Sequence, residues 1–232
     1  MRRVLVTGAS RGLGLEFTRQ LIANGDRVIA ACRDPARAKS LQALASKHPD
    51  RLHLRTVDMT DTHSVNALAA ETSGLFDGLD LLINNAGTLV PGERFGAVTA
   101  EALTSSLQVN MVGAFLLTQA LAPALAKGGH AIVANISSQL GSIARTDSFY
   151  TPSYAISKAA LNMATVLLAR GMADSGVCVV AFHPGWVKTD MGGASAPLAP
   201  TASVHGILSV IAGLTLKASG SFVDYQGHPM PW

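Results

Sequence analysis

The chain has 232 residues, 48% hydrophobic and only 14% charged, with a formal net charge of +3. Such a length buries one sizeable core, which excludes a disordered chain and fits one α/β domain better than two. No apolar run approaches the ~20 residues that span a bilayer, and scattered Lys and Arg with 5% aromatics describe a solvated surface rather than one for nucleic acid.

The N-terminus enters a strand within four residues of Met1, too short a run for the apolar region of a signal peptide, so a cytoplasmic location is expected. Cys32 and Cys178 sit in apolar, strand-like contexts without Cys-x-x-Cys spacing and read as reduced core thiols. The seven histidines show no short metal-ligand spacing, and no metal is assigned.

Short β-branched runs alternate with helical stretches along the chain. Val4–Thr7 reads as a buried strand, and Thr7-Gly8-Ala9-Ser10-Arg11-Gly12-Leu13-Gly14 leads from it into a helix over Gly14–Asn24. Glycines between a strand and a helix permit a tight turn and close approach to a pyrophosphate, whose charge the helix N-terminus stabilises. The spacing here is Gly-x-x-x-Gly-x-Gly instead of the usual Gly-x-Gly-x-x-Gly. A second strand, Val28–Cys32, ends where an acid would hold the ribose 2′-hydroxyl of NAD. No acid stands there, and Arg33 follows. A guanidinium suits the 2′-phosphate of NADP, and Arg11 offers a second cation; the alternative for Arg33 is a solvated residue heading a helix.

That helix is predicted over Pro35–His48 with Asp34 as its cap. Next come a strand at Leu52–Val57, a helix at Thr62–Glu71 capped by Asp61, a strand at Leu79–Asn84 and a helix at Ala100–Lys127 capped by Thr99. Ala131–Ile136 and Val177–Phe182 complete the predicted strands, with helices at Pro152–Asp174, entered from Thr151, and at Ala202–Leu214. This βαβα order calls for a Rossmann-type, doubly wound parallel sheet with helices on both faces and ligands at the carboxyl ends of its strands. Gly192–Pro200, rich in Gly, Ala and Pro, is the candidate mobile loop.

Tyr154 and Lys158 lie one helical turn apart on one face. A neighbouring cation favours phenolate, so the tyrosine is expected to exchange a proton near neutral pH, as a general acid or base must. That is carbonyl or alcohol chemistry.

Together these residues resemble the short-chain dehydrogenase/reductase family over essentially the whole chain. The similarity rests on the glycine motif Thr7–Gly14, on Asn84-Asn85-Ala86-Gly87 after the fourth strand, on Asn110, Ser138, Tyr154 and Lys158 as a catalytic tetrad, and on Pro184, Gly185 and Thr189. Within the family the chain is most similar to the C-factor and Sniffer-like carbonyl reductases, through Ala31–Pro35, His183–Gly193 and the ending Asp224–Trp232.

The resemblance implies one NADP(H)-binding domain over residues 1–232, a sheet of about seven strands, and substrate loops near 88–97, 142–151 and 190–200. Ser138 would bond the substrate oxygen, Tyr154 exchange its proton, Lys158 lower the tyrosine pKa and hold the nicotinamide ribose, and Asn110 anchor a water in a proton relay. The cofactor would be held by Gly8, Ser10, Arg11, Gly12, Leu13 and Gly14, by Arg33, by Asp58 at the adenine amino group and Met59, and by Asn85, Ala86 and Gly87. Tyr154, Lys158, Pro184, Gly185, Val187 and Thr189 complete that set, while Asn84 would brace the sheet. Ser137 competes with Ser138, but adjacent strand residues face opposite ways, and Ser138-Gln139-Leu140-Gly141 fits the family's Ser-x-x-Gly.

The interval from Ser138 to Tyr154 is a few residues longer than the commonest family spacing and adds to the substrate mouth, where Leu89, Leu140, Phe149, Trp186 and Met191 offer an apolar pocket. Small residues Ala155, Ala159 and Ala160 on the helix through which family members pair imply a homodimer or homotetramer. The expected activity is NADPH-dependent reduction of a small-molecule aldehyde or ketone. The alternatives are an alcohol dehydrogenase working oxidatively and a non-catalytic NADP(H)-binding signalling protein of the C-factor type.

Overall fold

In the computed structural model, which describes residues 1–232, seven strands form one sheet: β1 (Arg3–Thr7), β2 (Arg27–Cys32), β3 (Leu52–Thr56), β4 (Leu81–Asn84), β5 (Ile132–Ile136), β6 (Cys178–His183) and β7 (Phe222–Asp224). Their order is β3-β2-β1-β4-β5-β6-β7, with every pairing parallel. The helices are α1 (Gly12–Ala23), α2 (Lys39–Lys47), α3 (Thr62–Leu75), α4 (Ala100–Leu107), α5 (Gly113–Ala120), α6 (Ala122–Ala126), α7 (Pro152–Gly171) and α8 (Pro200–Gly213). Strands covered on both faces need apolar side chains on both, which is why they read as near-continuous apolar runs. Val4, Val6, Val28 and Ala30 pack with α1, α2 and α8, whereas Leu5, Ile29 and Ala31 pack with α3, α5, α6 and α7. Cys32 and Cys178 are free thiols, one in a strand at each side of the sheet, and both are buried.

Strand order reverses between β1 and β4, so the turns leaving those two strands flank a crevice at the carboxyl edge, where ligands of open α/β sheets bind. The caps at Asp34, Asp61 and Thr99 form, accepting from Arg37 N (3.1 Å), His63 N (2.9 Å) and Ala102 N (3.2 Å). Thr151 differs. Its backbone is left-handed, with φ of 41°, and its side chain makes no cap bond, so α7 begins without a local acceptor.

The predicted helix over Ala100–Lys127 is interrupted by a π-helical turn at Gln108–Val112 and breaks again before α6. The helix predicted over Pro35–His48 is a 3₁₀ turn at Pro35–Arg37 followed by α2, the break falling at Ala38. α3 runs on to Leu75, α8 starts at Pro200, and α7 stops at Gly171 ahead of a separate 3₁₀ turn. β7 had no predicted range because three residues carry no period; its pairing to β6 defines it. No helix is long and apolar enough to cross a membrane.

Candidate active site

The crevice between β1 and β4 is laced together by Thr7 and Asn85. Thr7 Oγ1 accepts from Asn85 N and Ala86 N, each at 3.1 Å, and Asn85 Nδ2 donates to the carbonyls of Thr7 (2.9 Å) and Gly8 (3.3 Å). Gly8 turns with φ of 66°, and a Cβ there would lie 2.8 Å from Ala86 Cα. A Cβ on Gly14 would collide with Gly8 O and approach Asn85 Nδ2 to 2.6 Å, so the motif's last glycine is required by packing. Ser10 and Leu13 flank the turn, both half-buried. α1 has no side-chain cap and no acid in its first turn, which leaves its leading N–H groups for an anion.

Arg33, beyond β2, is exposed and close enough to Asp58 to help hold that carboxyl below its ordinary range, although hydrogen bonds from Thr60 N and Oγ1 are the larger cause. Met59 is buried beneath, where its backbone blocks any Cβ on Gly113. Arg11 points across the cleft instead, its guanidinium 2.9 Å from Asp190 Oδ2.

The far wall is the segment after β6. Ser203 Oγ donates to Pro184 O (2.6 Å), Gly185 has φ of 83° where a Cβ would meet Leu198 Cδ2, and Val187 bridges Leu198. Thr189 Oγ1 accepts from Gly192 N (3.1 Å), and its methyl lies 3.5 Å from where a Cβ of Gly12 would stand. The indole of Trp186 donates to Gly192 O (2.7 Å), closing the 190–200 stretch into hydrogen-bonded turns.

The tetrad residues converge between these walls. Ser137 turns into the core and donates to Asn162 Oδ1 (2.6 Å), while Ser138 accepts from Leu140 N (3.2 Å) and lies near the Tyr154 phenol. Gly141 lets this turn press on α7, where a Cβ would sit 2.7 Å from the Lys158 carbonyl carbon. His183, at the end of β6, accepts from Gln139 N through Nδ1 (3.1 Å), which fixes the turn that follows Ser138. Burial pushes this imidazole down to about 4, so it is a neutral acceptor at physiological pH.

Lys158 Nζ donates to Ile136 O (2.7 Å) and lies 5.5 Å from the centre of the Tyr154 ring. A Cβ on Gly87 would fall 3.3 Å from Asn110 Oδ1 and 3.8 Å from Lys158 Nζ, so these three residues share one wall. Asn110 sits in the π-helical turn, a local irregularity common at functional sites. Its amide accepts from Thr88 N (2.7 Å) and donates to Thr88 O (2.9 Å) and Ser157 Oγ (2.8 Å). Asn84 braces the sheet, donating to Thr118 Oγ1 (3.0 Å) and to Asn135 Oδ1 (2.8 Å).

Burial acts on both groups: it pushes Tyr154 up to about 12, against a smaller lowering by Ser138, and pulls Lys158 down to about 8, opposite in direction to the lowering of the tyrosine that the resemblance implies. Glu93, Ser153, Ser157, Asn162, His183 and Asp190 support the site beyond the residues that the sequence assigns to it. His183 stands in a recognised motif and was within reach; Glu93 carries no local signal.

A family model for "short chain dehydrogenase" matches residues 2–197. The C-signal protein of Myxococcus xanthus is 40% identical over 154 residues, covering 66% of this chain and 93% of that one. Among solved structures, carbonyl reductase Sniffer of D. melanogaster superposes with a TM-score of 0.96 at 36% identity over the whole of both chains. An NADPH-bound carbonyl reductase from chicken fatty liver superposes with a TM-score of 0.95 at 40% identity, covering 100% of this chain and 99% of that one. The family match spans the residues that build the crevice and the solved structures share the whole fold, so the chain belongs to the short-chain dehydrogenase family of nicotinamide-dependent oxidoreductases.

Proposed function

We propose that this protein reduces an aldehyde or ketone with NADPH, Tyr154 giving the proton. The observation that carries the reading is geometric: the buried Tyr154 ring stands 5.5 Å from Lys158 Nζ, on the wall that Lys158 shares with Asn110 and Gly87, where a phenol has a proton to give. Carbonyl reduction consumes a proton and starts from the phenol, and alcohol oxidation runs the same step in reverse. Reduction is the direction in which the similar carbonyl reductases are named. Ser138, near the phenol, would donate to the same carbonyl oxygen, and Asn110 with Gly87 and Lys158 forms the wall beside it.

The residues present fit a nicotinamide dinucleotide. A glycine cradle in which a Cβ on Gly8 or Gly14 would clash meets an uncapped helix end, Lys158 has a buried ammonium with one protein acceptor, and Arg33 is a solvent-facing cation without an ion-pair partner. Gly8, Gly12, Leu13 and Gly14 would cradle the phosphates, Arg33 the 2′-phosphate, Asp58 the adenine, Lys158 the ribose, and Val187 and Thr189 the carboxamide end. When bound, the cofactor supplies hydride. Phe149, Trp186 and Met191 present half-exposed apolar surface on the flanking loops, which suits a substrate with an apolar flank.

α7 leaves Ile156, Met163 and Leu167 exposed beside Ala155, Ala159 and Ala160, a face that supports a homodimer or a tetramer built on it. The 40% identity to C-signal supports one second reading, a non-catalytic signalling protein that keeps the NADP(H) cleft.

The test is NADPH and NADH oxidation over a panel of aldehydes and ketones, with cofactor affinities measured alongside. NADPH is expected to be preferred by at least about 10-fold, or ~1.4 kcal/mol, and Arg33→Asp to move the preference toward NADH. Equal use of both cofactors by the wild-type protein contradicts the role of Arg33. Tight NADPH binding with no turnover across the panel favours the second reading.

A further inference from the structure

A helix needs acceptors for its first N–H groups, and α7, which carries Tyr154 in its first turn, has none next to it in sequence. Thr151 is left-handed, and its Oγ1 is buried without a partner. The acceptor comes instead from Glu93, 60 positions earlier in the 88–97 loop: Glu93 Oε2 accepts from Ser153 N (3.2 Å) and from Ser153 Oγ (2.7 Å). Ser106 Oγ of α4 donates to Ser153 Oγ (3.2 Å), which brings a third element to the same point. Glu93 Oε1 is buried with no hydrogen-bond partner, so the carboxyl is committed to Ser153 alone.

The loop is tied at two further places. Its first residue, Thr88, is bonded through both backbone groups to Asn110, and Phe95 packs edge-on against Phe149 with ring centres 5.5 Å apart. One substrate loop is thereby joined to the other and to the residue that precedes Tyr154.

We propose that Glu93 is a positioning residue for Tyr154, a remote helix cap that locks the 88–97 loop and the first turn of α7 into one wall of the substrate site. The inference rests on the reductase reading for its kinetic consequence and on geometry alone for the tie. An acid at a helix N-terminus gains from the macrodipole as well as from its bonds. Loss of the cap lets the first turn fray, and a displacement near 1 Å of a reacting group costs up to ~100-fold in rate.

The experiment uses the full chain with Glu93→Ala and Glu93→Gln, read by hydrogen exchange over residues 151–157, by kcat and KM on a reduced carbonyl, and by NADPH affinity. In Glu93→Ala, exchange in that segment should quicken by about 10-fold or more while the sheet stays protected. Its kcat should fall at least ~10-fold, with NADPH affinity held within about twofold. Glu93→Gln keeps an acceptor oxygen and should restore both readouts to within about threefold of wild type. Wild-type exchange over 151–157 in Glu93→Ala overturns the proposal, as does wild-type kcat, or a Glu93→Gln variant as impaired as Glu93→Ala. If Glu93→Ala does not fold, Ser153→Ala removes the shorter of the two bonds and is judged by the same outcomes. A wild-type protein that reduces nothing defeats the reductase reading, and the exchange measurement then decides the tie by itself.

Discussion

The ammonium of Lys158 has one protein acceptor, Ile136 O at 2.7 Å, and burial pulls its pKa from 10.5 down to about 8. Below about pH 8 the folded chain therefore carries a charge that its surroundings penalise. Between about 8 and 10.5 the unfolded chain binds more protons at this site than the folded one, so this group makes stability rise with pH across that window. Tyr154 acts in the opposite sense, with a folded pKa of about 12 against 10.0 unfolded, so only the lysine changes charge between 8 and 10. Lys158→Met is expected to melt at least ~2 °C above wild type at pH 7, with the gap narrowing by pH 10. Scanning calorimetry at the two pH values checks this, and a lower melting temperature at pH 7 contradicts it. NADPH binding and turnover should both fall in the same variant, because the ammonium is assigned to the ribose and to the wall beside Asn110 and Gly87.

The sheet and its connecting helices were legible because burial on both faces writes itself into sequence as apolar runs and helical stripes. The π-helical turn that carries Asn110 was not, since one extra residue in a turn leaves the apolar pattern of Ala100–Lys127 unbroken. Thr151 read as the start of a helix for a sound local reason; its cap, Glu93, is a long-range partner that no local rule could supply. The exposed face of α7 was half legible. Small residues pointed to close approach, while the structure adds Ile156, Met163 and Leu167, exposed by 49%, 61% and 56% at intervals of seven and four residues, which place them on one stripe. A helix stripe of this kind on both protomers makes an isologous contact. Light scattering at micromolar concentration should return an oligomer of the 24.0 kDa chain, and Met163→Glu should shift it toward monomer. A wild-type monomer contradicts pairing through α7.

Across the whole molecule, the site was readable wherever its chemistry needs particular residue types at fixed spacing. Thr7–Gly14, Asn85–Gly87, Ser138, Tyr154 and Lys158 are set by backbone approach and by helix periodicity; the first three lie at the carboxyl ends of strands or just beyond them, and Tyr154 and Lys158 lie on α7. What sequence did not disclose depends on environment. Burial outweighs the Tyr154–Lys158 interaction, and Arg11 meets Asp190, an exposed pair of the sort worth ~0–1 kcal/mol, which leaves Arg33 as the cation facing solvent beyond β2.

In the proposed reduction Tyr154 gives the proton, and Tyr154→Phe removes that proton alone, because the change deletes one oxygen and keeps the ring packed in the site. Turnover of NADPH with any carbonyl the wild type reduces should fall by at least ~100-fold, the scale of a lost general acid, while NADPH affinity stays within about twofold. Full activity in Tyr154→Phe on those carbonyls would contradict the mechanism.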